Sequence, residues 1–342
     1  MSAAAASLPV AVDAMGGDRA PESVVAGAVA AAADGVAVTL YGRTAEIAPL
    51  LAAAGSSTGG PSIGGPIPIV EATETIAMSE DPARAARTKK DSSLVRAVDA
   101  VRDGEACAMM SAGNTGAAAA AALLRLRRLR GVARPAIATA LPVPGRHPVV
   151  LLDAGAMADC QPDWLHQFAR MGAAYCRVRY GIDAPAVGLM SIGEEPGKGN
   201  ALVKAAHGLL AADGRLGFAG NLEGRDVLQG DADVVVTDGF TGNVVLKTLE
   251  GAIAVFTRLV VERLSADADV GPAALDLLAP LVEELHPDAV GGAMLLGVRG
   301  VCIISHGSSS PRAIANAVRA GHEMAAAGLL DALAESVEDL AG

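Results

Sequence analysis

Short apolar runs alternate along the chain with longer stretches rich in Ala, Val and Leu, and polar, Gly-rich turns separate the two. Leu8 to Asp13 reads as a strand. It ends in Asp13-Ala-Met-Gly-Gly-Asp18, and Pro21 then opens an Ala/Val-rich helix to about Ala33, because proline is well placed at a helix start. Val36 to Tyr41 followed by a helix near Ala45 to Ala54 repeats the unit. Ile67 to Val70 is a further strand, and Ala106 to Leu124 reads as strand, polar turn and Ala-rich helix. Ala136 to Leu141 and Val149 to Asp153 are strands joined by the Pro-rich turn Pro142 to Pro148, which predicts a hairpin or edge crossover. Pro162 to Arg177 is a helix, Ala186 to Ile192 a strand, Leu202 to Ala212 a helix, and Gly217 to Ala219 and Val234 to Thr237 are short strands. Phe240 to about Leu264 and Pro272 to Leu285 predict a helical hairpin, after which Gly300 to Ser305 returns to strand and Pro311 leads the last helices. Such alternation predicts an α/β protein: three layers, with a mainly parallel sheet between helices.

No fixed-period repeat and no long linker divides the chain. We expect a disordered tail at 1–7, one catalytic domain over 8–342, and the helical hairpin at about 250–286 protruding from it. The loop Gly55 to Pro66 is low in complexity and carries no side chains suited to chemistry beyond hydroxyls.

Composition narrows the function classes. At 342 residues with 51% hydrophobic content, the chain has ample material for a large core. Only 2% of residues are aromatic and the net charge is −11, which disfavours a nucleic-acid partner. Cys107, Cys160, Cys176 and Cys302 show no C-x-x-C spacing, which fits reduced thiols in a cytoplasmic protein. The start of the chain lacks the basic and apolar regions of a signal peptide. Ala106 to Leu124 is 19 residues without a charge, but its central Ser, Asn, Thr and Gly residues argue against a membrane span.

The turn Ser111-Ala-Gly-Asn-Thr-Gly116 stands at a strand end and opens a helix, so its backbone N–H groups suit an anion. Gly-Asn recurs at Gly113-Asn114, Gly199-Asn200, Gly220-Asn221 and Gly242-Asn243. Each pair is also an ordinary turn or cap former. Four of them, with Lys198 and Lys247 beside two, predict one shared crevice for phosphate. Arg84, Arg87, Lys89 and Lys90 precede the central turn and are candidates to line it.

Other chemistries fail on spacing. Gly193-Glu-Glu-Pro-Gly-Lys-Gly199 has one residue too few for a nucleotide loop and Gly where a magnesium-binding hydroxyl belongs. No G-x-G-x-x-G follows the first strand, the six histidines lack metal-ligand spacing, and no G-x-S-x-G elbow occurs. We therefore expect no cofactor and no metal.

Seven segments in order carry a resemblance. Val10 to Asp18, Lys89 to Leu94, Ser111 to Ala117, Ile192 to Asn200, Gly220 to Asp226, Thr237 to Lys247 and His306 to Ser309 together resemble the bacterial phosphate acyltransferase (PlsX-type) family. The likeness runs over roughly residues 8 to 325. One departure is Gly155-Ala-Met157, where the family usually has Gly-Ala-Asn.

The resemblance implies transfer of a long acyl group from acyl carrier protein to inorganic phosphate, giving acyl phosphate for phosphatidic acid synthesis. It implies a fold akin to isocitrate dehydrogenase and phosphotransacetylase, a homodimer, and loose peripheral attachment of a cytoplasmic enzyme to the membrane. A glycerol-3-phosphate acyltransferase would act downstream. The residues suit this chemistry, since phosphate is itself a competent nucleophile and the site need only position it and stabilise charge. Lys198, Asn243, Lys247, Asp13 and His306 are the expected catalytic residues. Lys89, Lys90, Ser111, Asn114, Thr115, Asn200, Asn221, Arg225, Asp238 and Thr241 are the expected phosphate or substrate contacts. The basic run Arg125, Arg127, Arg128, Arg130 is the expected dock for the acidic carrier. Two alternatives compete: a phosphotransacetylase-like enzyme using small acyl coenzyme A, and a non-catalytic scaffold for lipid synthesis.

Overall fold

The computed structural model describes residues 7–55, 67–267 and 271–340. Residues 1–6 of the expected tail, the low-complexity loop from 56 to 66, and 268–270 at the hairpin turn, Asp269 included, lie outside the described residues.

The strands are β1 (Val10–Asp13), β2 (Val38–Gly42), β3 (Ile69–Glu71), β4 (Ala108–Ser111), β5 (Ala136–Leu141), β6 (Val149–Leu152), β7 (Ala186–Met190), β8 (Gly217–Leu222), β9 (Val234–Val236), β10 (Ala293–Leu296) and β11 (Val301–Ile304). They form an 11-stranded sheet in the order β3-β2-β1-β4-β11-β10-β5-β6-β9-β7-β8. Seven of the ten pairings are parallel. The three antiparallel ones lie together at the centre, where β10 pairs with β11 and β5, and β5 with β6. The predicted β5–β6 hairpin is thus present, but in the middle of the sheet rather than at its edge. The sequence reading also lacks β10, a run of four residues between Gly292 and Gly297.

The sheet is buried on both faces because its strands alternate. In β1, Val10 and Val12 join one core while Ala11 joins the other; in β11, Val301 and Ile303 oppose Cys302 and Ile304. One face carries α1 (Glu22–Ala33), α2 (Thr44–Ala53), α6 (Pro162–Tyr180), α7 (Ala201–Ala212), α10 (Pro311–Ala326) and α11 (Leu329–Val337). The other carries α3 (Pro82–Thr88), α4 (Ser93–Arg102), α5 (Thr115–Arg125) and the first turns of α8 (Gly239–Ser265). This is the three-layer α/β/α arrangement that the alternation predicts.

Beyond its first turns, α8 leaves the body and returns as α9 (Gly271–Glu284). Its buried residues are confined to Gly239, Gly242 and Leu246, so most of the helix faces away from the core. The hairpin apolar set divides: Val255, Phe256, Leu259, Leu277 and Leu281 are exposed, whereas Ile253, Val282 and Leu285 face a cavity. Among the described residues, no helix is long and apolar enough to cross a membrane.

Candidate active site

Where the hairpin leaves the body, a cavity of ≈ 780 Å³ opens over the centre of the sheet. Its floor is made by Ile137, Thr139 and Leu141, alternate residues of β5 and hence on one face, with Ala293 of β10 and Ile304 of β11. Its wall is α8, which presents Asn243, Lys247, Glu250, Ala254, Thr257 and Val261 at three- to four-residue intervals, a single helix face.

Polar groups gather at the body end. Lys247 Nζ lies 2.5 Å from His306 Nε2 and 2.9 Å from Glu250 Oε2, and His306 Nε2 lies 3.7 Å from Glu250 Oε1. Burial pushes the Glu250 carboxyl up, but His306 and Lys247 together pull it below its ordinary value. Thr115 and Gly116 line the same end. They are the first residues of α5, where N–H groups have no helical partner and the helix dipole favours an anion. Asn114 caps this helix by accepting from Ala117 N (3.0 Å), and its own amide donates to the Met78 carbonyl (3.0 Å).

Two buried aspartates build the turns beneath. Asp13, 2% exposed, accepts from Ser111 Oγ at 2.6 Å and Met15 N at 3.3 Å, and Ser111 Oγ accepts from Gly113 N at 3.0 Å. Burial raises the Asp13 carboxyl and the Ser111 hydrogen bond opposes that. Gly16 is needed here, since a Cβ would stand 2.4 Å from Asp13 Oδ2 and 2.9 Å from Gly113 N. Asp153, fully buried after β6, accepts from the backbone N of Ile137 (2.9 Å), Gly155 (3.1 Å), Ala156 (3.0 Å) and Met157 (2.6 Å). Burial raises its carboxyl as well, against those four donors. Asn243 then fastens α8 to this loop by donating to the Ala154 carbonyl at 3.2 Å.

The sequence reading treats Asp153 only as the end of a strand. The signal was available, because Asp153-Ala-Gly155 follows β6 much as Asp13-Ala-Met-Gly16 follows β1, and in each the carboxylate collects N–H groups of the next turn. Glu250 was also missed, although it stands three residues from Lys247 on one helix face. Met157 ties this loop to α8 through its backbone: its N–H reaches Asp153 and its carbonyl accepts from Gly239 N at 2.8 Å.

The other expected residues are placed as follows. Asn243, Lys247, His306 and Thr115 line the cavity. Asp238 caps α8, accepting from Thr241 N at 2.8 Å and Thr241 Oγ1 at 2.9 Å. Asp13 and Ser111 lie beneath the turn, inside the core. Lys89 is spent on the Thr75 carbonyl (2.7 Å) and Glu80 (2.6 Å), and Lys90 is exposed. Asn200 caps α7, accepting from Val203 N at 2.9 Å, and Asn221 donates to the Glu195 carbonyl at 2.9 Å. Arg225 is exposed and pairs with Glu223 at 2.7 Å. The four Gly-Asn pairs therefore do not share one cavity: the first and last adjoin it, while Asn221 belongs to β8 and the turns holding Lys198 and Asn200, and Arg225, follow β7 and β8. Because β6, β9, β7 and β8 run parallel, those turns stand on the same sheet edge as Asp153, with β7 about 10 Å away, two strand spacings.

In the basic run, Arg125 is held by Asp99 (Nε–Oδ1 2.6 Å) and Arg128 by the Ala133 carbonyl, while Arg127 and Arg130 are exposed. Cys160, the thiol nearest the Asp153 loop, is pushed up to about 12 by burial, so it is no ready nucleophile.

Comparison with known proteins agrees with this architecture. A family model described as fatty acid synthesis protein matches residues 8–331. The phosphate acyltransferase of Thermobifida fusca is 44% identical over 339 residues, covering 96% of this chain and 91% of that protein. That of Pelotomaculum thermopropionicum is 44% identical over 337 residues, covering 97% and 96%. Among solved structures, a phosphotransacetylase from Streptococcus pyogenes superposes with TM-score 0.60 at 17% identity, covering 95% of this chain and 94% of its own. The EutD phosphotransacetylase of Staphylococcus aureus gives 0.58 at 16%, covering 93% and 94%. These two likenesses show a shared fold.

Proposed function

The chain belongs to the family described as fatty acid synthesis protein, whose relatives named above are phosphate acyltransferases, and we propose that it moves a long-chain acyl group from acyl carrier protein to inorganic phosphate. It is an acyltransferase. The observation that carries the long-chain reading is the size of the cavity, which runs from the Lys247–His306 end along α8 past Ile253, Ala254 and Val261. At roughly 30 Å³ per water-sized group, ≈ 780 Å³ holds about two dozen such groups, far more than an acetyl group fills.

In this reading phosphate sits between Lys247 and the first N–H groups of α5. Its oxygen attacks the thioester carbonyl, the C–O bond forms, and the carbonyl becomes a tetrahedral oxyanion. Asn243, fixed through Ala154, offers its second amide hydrogen to that charge. The C–S bond then breaks and the carrier's thiolate leaves. With a thiol pKa of about 8.5, the leaving group needs little acid, and His306 stands close enough to supply a proton. Lys198, with Asn200, Asn221 and Arg225, offers donors on the neighbouring edge for the carrier-bound part of the substrate.

The acyl phosphate would pass to a glycerol-3-phosphate acyltransferase, from a cytoplasmic enzyme weakly attached to the membrane. The exposed Phe256, Leu259 and Leu277 of the hairpin support a homodimer, each copy covering the other's apolar face. Purified protein incubated with palmitoyl-carrier protein, palmitoyl coenzyme A or acetyl coenzyme A, with and without phosphate, tests the reaction by thiol release. Phosphate-dependent release from the palmitoyl carrier is expected; release from acetyl coenzyme A alone would overturn the long-chain assignment.

A further inference from the structure

The cavity-facing side of α8 runs the length of the cavity. Lys247 and Glu250 stand at the body end with Asn243, Leu246 and Leu249; beyond them come Ile253, Ala254, Thr257 and Val261, with Arg258, paired to Glu262, at the far rim. From Lys247 to Val261 the helix rises about 21 Å. An acyl chain occupies about 15 Å of one bilayer leaflet, half of the ~30 Å hydrocarbon core. One face of one helix is therefore long enough to accompany a whole acyl chain away from the reacting carbonyl.

The floor is shorter. β5 begins beside the polar end, where Ile137 N reaches Asp153, and runs out at Leu141 and Pro142 after about 16 Å. There the turn between β5 and β6 meets the returning helix, Gly145 N donating to Glu284 Oε1 at 2.9 Å. Val282 of that helix also lines the cavity. Ala254 is the smallest side chain α8 presents along this face, about 10 Å beyond Lys247.

Resting on the long-chain reading of this site, we propose that the acyl tail lies along α8 and passes Ala254, whose small side chain admits the far half of the chain and so sets the accepted length. A larger residue there closes the passage about half-way along. Chains that end before it keep their contacts. Longer chains lose burial of every methylene beyond it, and each pair of methylenes is worth about tenfold in binding.

The test compares wild type, Ala254→Phe and Ala254→Ser. Ala254 is exposed, so neither substitution enters the core. Phosphate-dependent kcat/KM is measured with hexanoyl- and palmitoyl-carrier protein. Displacement of a fluorescent long-chain fatty acid is measured separately, without turnover. Ala254→Phe is expected to lower the palmitoyl-to-hexanoyl ratio by about 100-fold at the least, leave hexanoyl transfer within about threefold, and abolish long-chain probe binding. Ala254→Ser should match wild type in both assays. An unchanged ratio together with unchanged probe binding overturns the gauge. Wild type that binds the probe in an Ala254-sensitive way, yet transfers no acyl group to phosphate, would overturn the reaction while keeping the groove. Wild type that transfers acyl groups but shows no chain-length effect at Ala254 would do the reverse.

Discussion

Lys247 Nζ lies 2.5 Å from His306 Nε2, joining α8 to the loop after β11 at the polar end of the cavity. Glu250 reaches both, 2.9 Å from Lys247 Nζ and 3.7 Å from His306 Nε2, so the side chains act as one unit. Removing a donor aimed at developing charge typically costs about 100-fold in kcat. Lys247→Ala and His306→Ala are each expected to lose about that factor, and the double variant little more, because groups acting together are not additive. Thiol-release kinetics on the three proteins check this; losses that multiply would show independent roles.

Glu250 holds the pair from below, and its depressed carboxyl carries a pH signature. Burial works against the charge, while His306 and Lys247 favour it more strongly. A carboxylate depressed in the folded state contributes stability above its unfolded value, and the contribution is lost as pH falls through the folded value. Denaturant midpoints should therefore place Glu250→Gln below wild type at pH 7. The gap should close as the pH drops below the ordinary carboxylate range. A gap that is constant down to acid pH would assign the loss to packing.

Gly16 permits the first loop to touch the central turn. Its Cβ would stand 2.4 Å from a buried carboxylate oxygen, and the backbone at Gly113 blocks retreat. Gly16→Ala should cost about 1–3 kcal/mol, the usual range for overpacking. Urea unfolding measures it, and a cost below about 0.5 kcal/mol would mean the two loops separate freely.

How much of this was legible before the fold was known follows from range. Local signals carried the strands, helices and caps: Asn114, Asn200 and Asp238 sit at helix starts because short polar side chains satisfy the first N–H groups there. What the sequence withheld was pairing. Nothing local distinguishes β5 and β6 as a central hairpin, or marks the four residues of β10 as a strand between two others. The shared crevice for all four Gly-Asn pairs failed for the same reason, since one dipeptide serves as a cap at Asn114, a helix residue at Asn243 and a strand residue at Asn221. Lys89 and Arg125 read as free cations, yet Glu80 and Asp99 engage them across the fold.

The Asp153 loop separates backbone from side-chain duty. Four N–H groups converge on that carboxylate, so Asp153→Ala leaves buried donors unpaired and should cost about 3 kcal/mol or more. Met157 makes its hydrogen bonds through N–H and carbonyl, so Met157→Asn, the residue usual in the resembled family, should change stability by less than about 0.5 kcal/mol. Thermal unfolding of both variants decides it, and comparable losses would show that the Met157 side chain is itself needed.

The basic run after α5 tests where an acidic carrier docks. Arg125 is tied to Asp99 and Arg128 to the Ala133 carbonyl, so reversing either would disturb the fold and confuse the result. Arg127 and Arg130 are exposed, and Arg127 has a positive backbone φ of 67° that turns the chain out of the helix. The protein as a whole carries −11, so attraction to an acidic partner has to be local. Charges at the rim of an interface act mainly on association rate and its salt dependence. Arg127→Glu with Arg130→Glu should therefore raise KM for acyl carrier protein at low salt, leave kcat unchanged, and spare acyl coenzyme A, which brings no acidic protein surface. Raising the ionic strength should narrow the difference from wild type, because exposed charges are screened within about 8–10 Å near physiological salt. Equal KM changes for both donors, or no salt dependence, would place the carrier on another face of the molecule.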